Sequence, residues 1–154
     1  MTNDASPTQQ LAGFLAKFDP AMAKTIREVR AALRRRFPSA NELVFERYQF
    51  LAIGYCATER QSDTLVSITA LAKGLTLHFY YGSALPDPHG LLQGTGNQNR
   101  FLRLDEGAAT LSRPEVEELL QAVCDQAKTP LGDSGGGKLI IRSVSQKQRS
   151  RRVK

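Results

Sequence analysis

Tryptophan is absent from this sequence, and cysteine, methionine and histidine occur only twice each. Cys56 and Cys124 belong to no CxxC pair, so neither a disulfide framework nor a zinc site is indicated, and both read as reduced thiols in apolar segments. No apolar run approaches the ~20 residues that a membrane-spanning helix requires, and Met1–Gln10 lacks the charged and apolar regions of a signal peptide. These absences lead us to expect a cytoplasmic protein with no membrane partner. The two histidines, His78 and His89, have no second His or Cys at ligand spacing, and neither metal nor other cofactor is expected. No Ser-His-Asp or Cys-His arrangement emerges, since both cysteines sit in apolar patterns and Ser83 has no motif around it. The sequence therefore nominates no catalytic residue and points to binding rather than reaction.

Acidic residues are also missing from the last 17 positions, where Lys138, Arg142, Lys147, Arg149, Arg151, Arg152 and Lys154 supply seven cations. The whole chain has 21 Lys and Arg against 15 Asp and Glu, so the first 137 residues hold 14 cations against 15 acids, a net charge of 14 − 15 = −1. All of the +6 excess is C-terminal. With 154 residues, 41% of them hydrophobic, the chain suffices for one well-buried core. We divide it into a domain over residues 1–131 and a Gly-rich linker with a basic segment over 132–154.

Leu11, Phe14, Leu15 and Phe18 recur at helical spacing. Asp19-Pro20 opens a second helix, with Asp at the N-cap and Pro at N1, where its missing N–H costs nothing. Met22, Ile26, Val29, Leu33 and Phe37 form its apolar stripe, flanked by Arg27, Arg30 and Arg34, and Pro38 ends it. From Glu42 to Tyr81 the period becomes two, which predicts strands over 42–47, 50–56, 64–72 and 75–81. Leu75, Leu77, Phe79 and Tyr81 share one strand face, with Thr76, His78 and Tyr80 on the other. Phe101–Leu104 predicts a further strand. Ser112-Arg113-Pro114-Glu115 fits a capping box for a last helix, whose stripe is Val116, Leu119, Leu120, Val123 and Ala127. Lys138–Ser145 fits one more strand. The fold class is α+β: a two-layer sandwich, an antiparallel sheet of about five or six strands with helices on one face. An exposed sheet edge leaves self-association open.

Glu42-Leu43-Val44-Phe45, the stretch Thr58-Glu59-Arg60-Gln61-Ser62-Asp63, and above all Leu85-Pro86-Asp87-Pro88…Leu91-Leu92-Gln93-Gly94-Thr95-Gly96…Arg100 carry a resemblance to the YdhG-like family. That is a bacterial domain-of-unknown-function family with a frataxin-like fold, and the resemblance covers roughly residues 10–128. It implies the fold and leaves the function open. Some frataxin-like proteins are iron-binding chaperones that use an acidic ridge. Here the second helix departs from that pattern, carrying Lys24, Arg27, Arg30, Arg34, Arg35 and Arg36 against Glu28.

The long loop over residues 83–100 is the main candidate for a ligand or partner site, because compact domains seldom keep so long a connection. Within it Gly94, Thr95, Gly96, Asn97 and Arg100 place glycines, a hydroxyl, an amide and a guanidinium together, a set that suits an anion. A loop that merely uses glycine for unusual φ and pairs Arg100 internally fits the same residues. Tyr48, Glu59, Arg60 and Asp63 are candidates to line a cleft with that loop. A loop held by its own ion pairs and an Asx turn at Asp63 is the alternative. The run Lys147–Lys154 is of the kind that associates with nucleic-acid phosphates, or is a solvated end; it carries no aromatic residue to stack a base.

Overall fold

The computed structural model describes residues 5–132 and 135–152. Met1–Asp4 of the polar N-terminus, Asp133 and Ser134 of the glycine-rich linker, and Val153 and Lys154 of the basic end lie outside the described residues. Helix α1 spans Pro7–Leu15 and is closed by Ser6, whose hydroxyl accepts from the Gln9 amide at 3.2 Å while the Gln9 side chain accepts from Ser6 N at 2.9 Å. Helix α2 covers Pro20–Arg36, with Asp19 at the N-cap position making no side-chain capping bond and Arg34, Arg35 and Arg36 in the last turn, where cations complement the helix dipole. Then follow β1 (Asn41–Glu46), β2 (Leu51–Cys56), β3 (Thr64–Leu71), β4 (Gly74–Phe79), β5 (Arg100–Arg103), α3 (Ala108–Leu111), α4 (Pro114–Gln126) and β6 (Leu139–Val144). The expected capping box at Ser112 does not form. Ser112 instead ends the short α3, and α4 starts at Pro114 with Arg113 at its N-cap, its guanidinium 2.6 Å from Glu115.

The six strands form one sheet in the order β5-β4-β3-β2-β1-β6. Five of them pair antiparallel, as the alternating pattern requires, but β6 returns from α4 to lie parallel to β1, so the sheet is mixed rather than antiparallel. Register aligns Val44, Ile53, Ile68, Leu77 and Leu102 in one row across five strands, every one of them buried. Beside it lie the rows Tyr55–Val66–Phe79 and Leu51–Ala70–Leu75. Against this face pack Leu11, Phe14 and Leu15 of α1, Ile26, Val29 and Leu33 of α2, and Val116, Leu119, Leu120 and Val123 of α4. Each such side chain contributes about 1.5–3 kcal/mol by leaving water. The opposite face carries Ser67, Thr69, Thr76 and His78, all half-buried.

Two carboxylates stand on the helix-covered face, because Glu42 and Glu46 flank Val44 with period two. Glu42 is held by a bidentate pair from Arg30, with Nε to Oε2 and Nη2 to Oε1 both at 2.9 Å, and by the Tyr55 hydroxyl at 2.8 Å. Arg34 adds a longer contact at 3.8 Å. Burial, then the charge of Glu42, push the Tyr55 phenol well above its ordinary pKa, which keeps it a donor. Glu46 is 0% exposed and lies between Lys17 Nζ at 2.9 Å and Arg151 Nη2 at 2.5 Å.

Candidate functional site

The loop between β4 and β5 is ordered by its own polar groups. Asp87 accepts from the amides of Leu91 and Leu92, both at 2.9 Å, and this turn brings those two leucines against the core. Gln93 pairs with Phe101 in both directions, at 2.8 and 3.0 Å. Gly94 has φ +112°, a conformation that side chains disfavour, and a Cβ there would rest on the Phe101 ring. Arg100 Nη1 donates to the carbonyls of Gly96 and Asn99, the latter at 2.9 Å. The loop thus turns carbonyls, not amides, toward its guanidinium. An anion at Arg100 would have to draw Nη1 away from them.

Beside that loop, where the β2–β3 connection and the C-terminal end of α4 meet it, lies a cavity of about 330 Å³. Leu65, Ala84, Val123 and Ala127 provide its apolar wall, and Asp63, Gln98, Gln126, Lys128 and Thr129 its polar positions. Three segments far apart in sequence are tied together here. Tyr81 donates its hydroxyl proton to the Ser62 carbonyl at 2.7 Å, and Gln126 Nε2 donates to the Tyr81 carbonyl at 3.1 Å. Asp63 accepts from Thr58 at 2.8 Å and from Thr129 at 3.3 Å, and stands 3.5 Å from Arg60. The threonine bonds, rather than an Asx turn at Asp63, hold this loop.

The cleft candidates are therefore divided. Asp63 lines the cavity, and Arg60 is mostly exposed beside it. Glu59 faces away toward β6, where its carboxylate is 3.5 Å from Lys138 and its carbonyl accepts from Arg142 at 2.7 Å. Tyr48 sits in the β1–β2 turn, at the other end of β2 from Asp63, so it shares no cleft with the long loop. Of the loop residues, Ala84 and Gln98 line the cavity, whereas Gly94, Thr95, Gly96, Asn97 and Arg100 do not; Asn97 offers its carbonyl to Ser83 Oγ at 2.8 Å. Tyr81 and Gln98 lie in the strand and loop stretches already named, where neither side chain stands out from its neighbours, and no motif surrounds Gln126.

The cysteines and histidines are packed or paired. Cys56 accompanies Thr64 at 3.1 Å, and burial pushes its thiol up to about 11 against the opposing pull of that hydroxyl. Cys124 is also pushed up by burial. Neither thiol is poised as a thiolate nucleophile. His78 accepts from Asn99 Nδ2 at 2.9 Å on Nδ1, which places its proton on Nε2 toward Thr76 Oγ1 at 3.0 Å; burial lowers its pKa, so the ring is neutral. His89 lies 2.8 Å from Glu118. Among the described residues, no three His, Cys, Asp or Glu side chains converge as metal ligands, and no helix is long and apolar enough to cross a membrane.

The basic segment folds back onto the domain. Ser145 N donates to the Glu46 carbonyl at 2.7 Å, Arg149 N to the Tyr48 carbonyl at 2.6 Å, and Arg151 pairs with Phe18 in a parallel bridge. Arg151 is 0% exposed; besides Glu46, its Nη2 reaches the carbonyls of Arg47 at 2.7 Å and Phe50 at 3.2 Å and the Gln148 side chain at 3.0 Å. The structure therefore joins residues 135–152 to the sheet and its core. Against known proteins, the chain matches no family model, no curated protein and no solved structure.

Proposed function

We propose that the protein is a non-enzymatic binding domain of YdhG-like type whose small ligand occupies the cavity between Asp63, Tyr81 and the end of α4. The observation that carries this reading is the cavity itself: about 330 Å³, apolar on its wall and polar at Asp63, Gln98, Gln126 and Thr129. Ligand sites in general combine a concave, mostly apolar lining of this size with a few placed polar groups. The long loop is one wall of the site rather than an anion cradle, and Arg100 serves it by fastening the carbonyls of Gly96 and Asn99. The ligand class that suits such a lining is a compact molecule with an apolar body and a hydrogen-bonding edge.

The test is a thermal-shift screen of metabolite-sized compounds against the natural chain and an Ala127→Trp variant, which fills the cavity from the α4 end. A compound at 100 times its dissociation constant adds about 2.7 kcal/mol, or roughly 5–10 °C in a domain of this size. We expect shifts in the natural chain that vanish in Ala127→Trp while the ligand-free midpoint stays in place. Compounds that stabilise both proteins equally would place the ligand elsewhere.

A further inference from the structure

We infer that the opposite end of the sheet binds single-stranded nucleic acid by its phosphates, in a groove between the 147–152 segment and the β3–β4 turn. The groove encloses about 770 Å³, and its lining among the described residues includes Lys73, Arg149 and Arg152 with Gln49 and Ser150, but no carboxylate. None of the three cations is ion-paired among the described residues. Their uncompensated charge is available to phosphates, and release of condensed counterions is the main driving force for such contacts.

The basic residues do not act as one charged tail. Arg151 is withdrawn to pair with Glu46, and that contact fixes the path of the segment that carries Arg149 and Arg152. Arg149 is further held by the hydrogen bond that its backbone N–H donates to the Tyr48 carbonyl, and Arg152 by the 3.1 Å hydrogen bond that its Nη2 donates to the Ala16 carbonyl. A strand docking here orders little of the protein, so less of the contact energy is spent on loop entropy. Lys73 comes from a different turn, which no reading of the C-terminal sequence reveals.

The fold also provides the aromatic group that the segment lacks. Tyr48 is 50% exposed and Leu71 is 40% exposed, and both stand at this end, Tyr48 beside Arg149 and Leu71 in the groove. An exposed phenol next to a line of cations suits stacking of an unpaired base, which is sequence-tolerant. The cations line a concavity, which follows a strand better than it meets a flat lipid surface. This groove and the cavity at Asp63 and Tyr81 lie at opposite ends of β3, so each stands or falls separately.

The experiment is fluorescence anisotropy of a labelled 12-nucleotide oligo-dT with the full chain, titrated across potassium chloride. Three phosphate contacts at about 0.7 each predict a log–log salt slope near −2, so affinity falls about 20-fold between 50 and 200 mM salt. The double variant Lys73→Gln/Arg152→Gln should flatten the slope to about −0.7, and Tyr48→Ala should weaken binding roughly 5-fold or more at constant slope. Arg27→Gln/Arg35→Gln on α2 makes the same charge change elsewhere and should leave both quantities in place. All variants are checked for an unchanged thermal midpoint. Absence of binding at 50 mM salt, an equal loss in the α2 control, or capture by phosphatidylserine vesicles that the oligonucleotide fails to compete away would overturn the inference.

Discussion

Replacing Arg151 by Met tests whether the end of the chain is structural. The substitution keeps an unbranched apolar stem beside Phe18, whose ring centroid lies 5.2 Å from Arg151 Cζ, and removes the guanidinium. Glu46, 0% exposed, is then left with Lys17 alone, at 2.9 Å and on a side chain 35% exposed, while the carbonyls of Arg47 and Phe50 lose a donor. Breaking a buried pair from one side costs about 3–5 kcal/mol. Lys17 retains part of the compensation, so about 2–4 kcal/mol is expected, or roughly 5–15 °C in midpoint. Urea unfolding followed by circular dichroism measures it, with the slope unchanged if the denatured state is unaffected. The double variant Glu46→Leu/Arg151→Met should recover most of the loss, because an apolar replacement strands no charge. Recovery is favoured further by Arg151 Nε and Nη1, which are buried without hydrogen-bond partners among the described residues. A single variant within 0.5 kcal/mol of the natural chain, or additive losses in the double variant, would refute this account.

Tyr55→Phe removes the hydroxyl that donates to Glu42 at 2.8 Å but leaves the Arg30 fork, so we expect a loss of about 1–2 kcal/mol by urea denaturation. Gly82→Ala should cost about 1–3 kcal/mol and move backbone amide NMR signals over residues 93–101, since a Cβ there would lie 2.6 Å from Arg100 Cβ. The Cys56 thiol, held up to about 11, should resist iodoacetamide at pH 8 until the chain unfolds. Between pH 9 and 11 the unfolded thiol loses its proton while the folded one keeps it, so stability falls as pH rises through that window, and Cys56→Ala should flatten the fall. His78 behaves in the opposite sense: burial lowers its pKa, the unfolded ring takes up protons first, and stability falls as pH drops below about 6.5, an effect that His78→Gln should remove.

Local pattern sufficed wherever the deciding interactions were local. Ile26, Val29, Leu33 and Phe37 of the α2 stripe are buried as its spacing requires and Met22 is half-buried, and Leu75, Leu77 and Phe79 face the helices while Thr76 and His78 do not; Tyr81, expected on the same strand face, lies beyond the end of β4. The long loop was legible from its prolines and glycines, and the conformation of Gly94 is of the kind expected there. The capping box at Ser112 was misread because Ala108–Leu111 already forms a helical turn, which takes Ser112 as its end.

Alternation also marks Glu42 and Glu46 as facing the same side as Val44, but not that the side is covered. Their burial depends on Arg30 from a helix and on Arg151 from a segment more than 100 residues away, and no local rule connects such partners. Composition likewise fixed the C-terminal excess of charge without its division into Arg151, which the core holds, and Arg149 and Arg152, which it leaves outside. The sequence by itself thus determined the strands, the three longer helices, their faces and the sign of the charge, because these follow from backbone periodicity and from counting, while the single turn of α3 is too short to show a period. Only the tertiary structure decided the parallel return of β6, the cavity at Tyr81 and the groove beside Tyr48. Each is made where segments distant in the chain meet, and their meeting is set by the packing of the whole sheet.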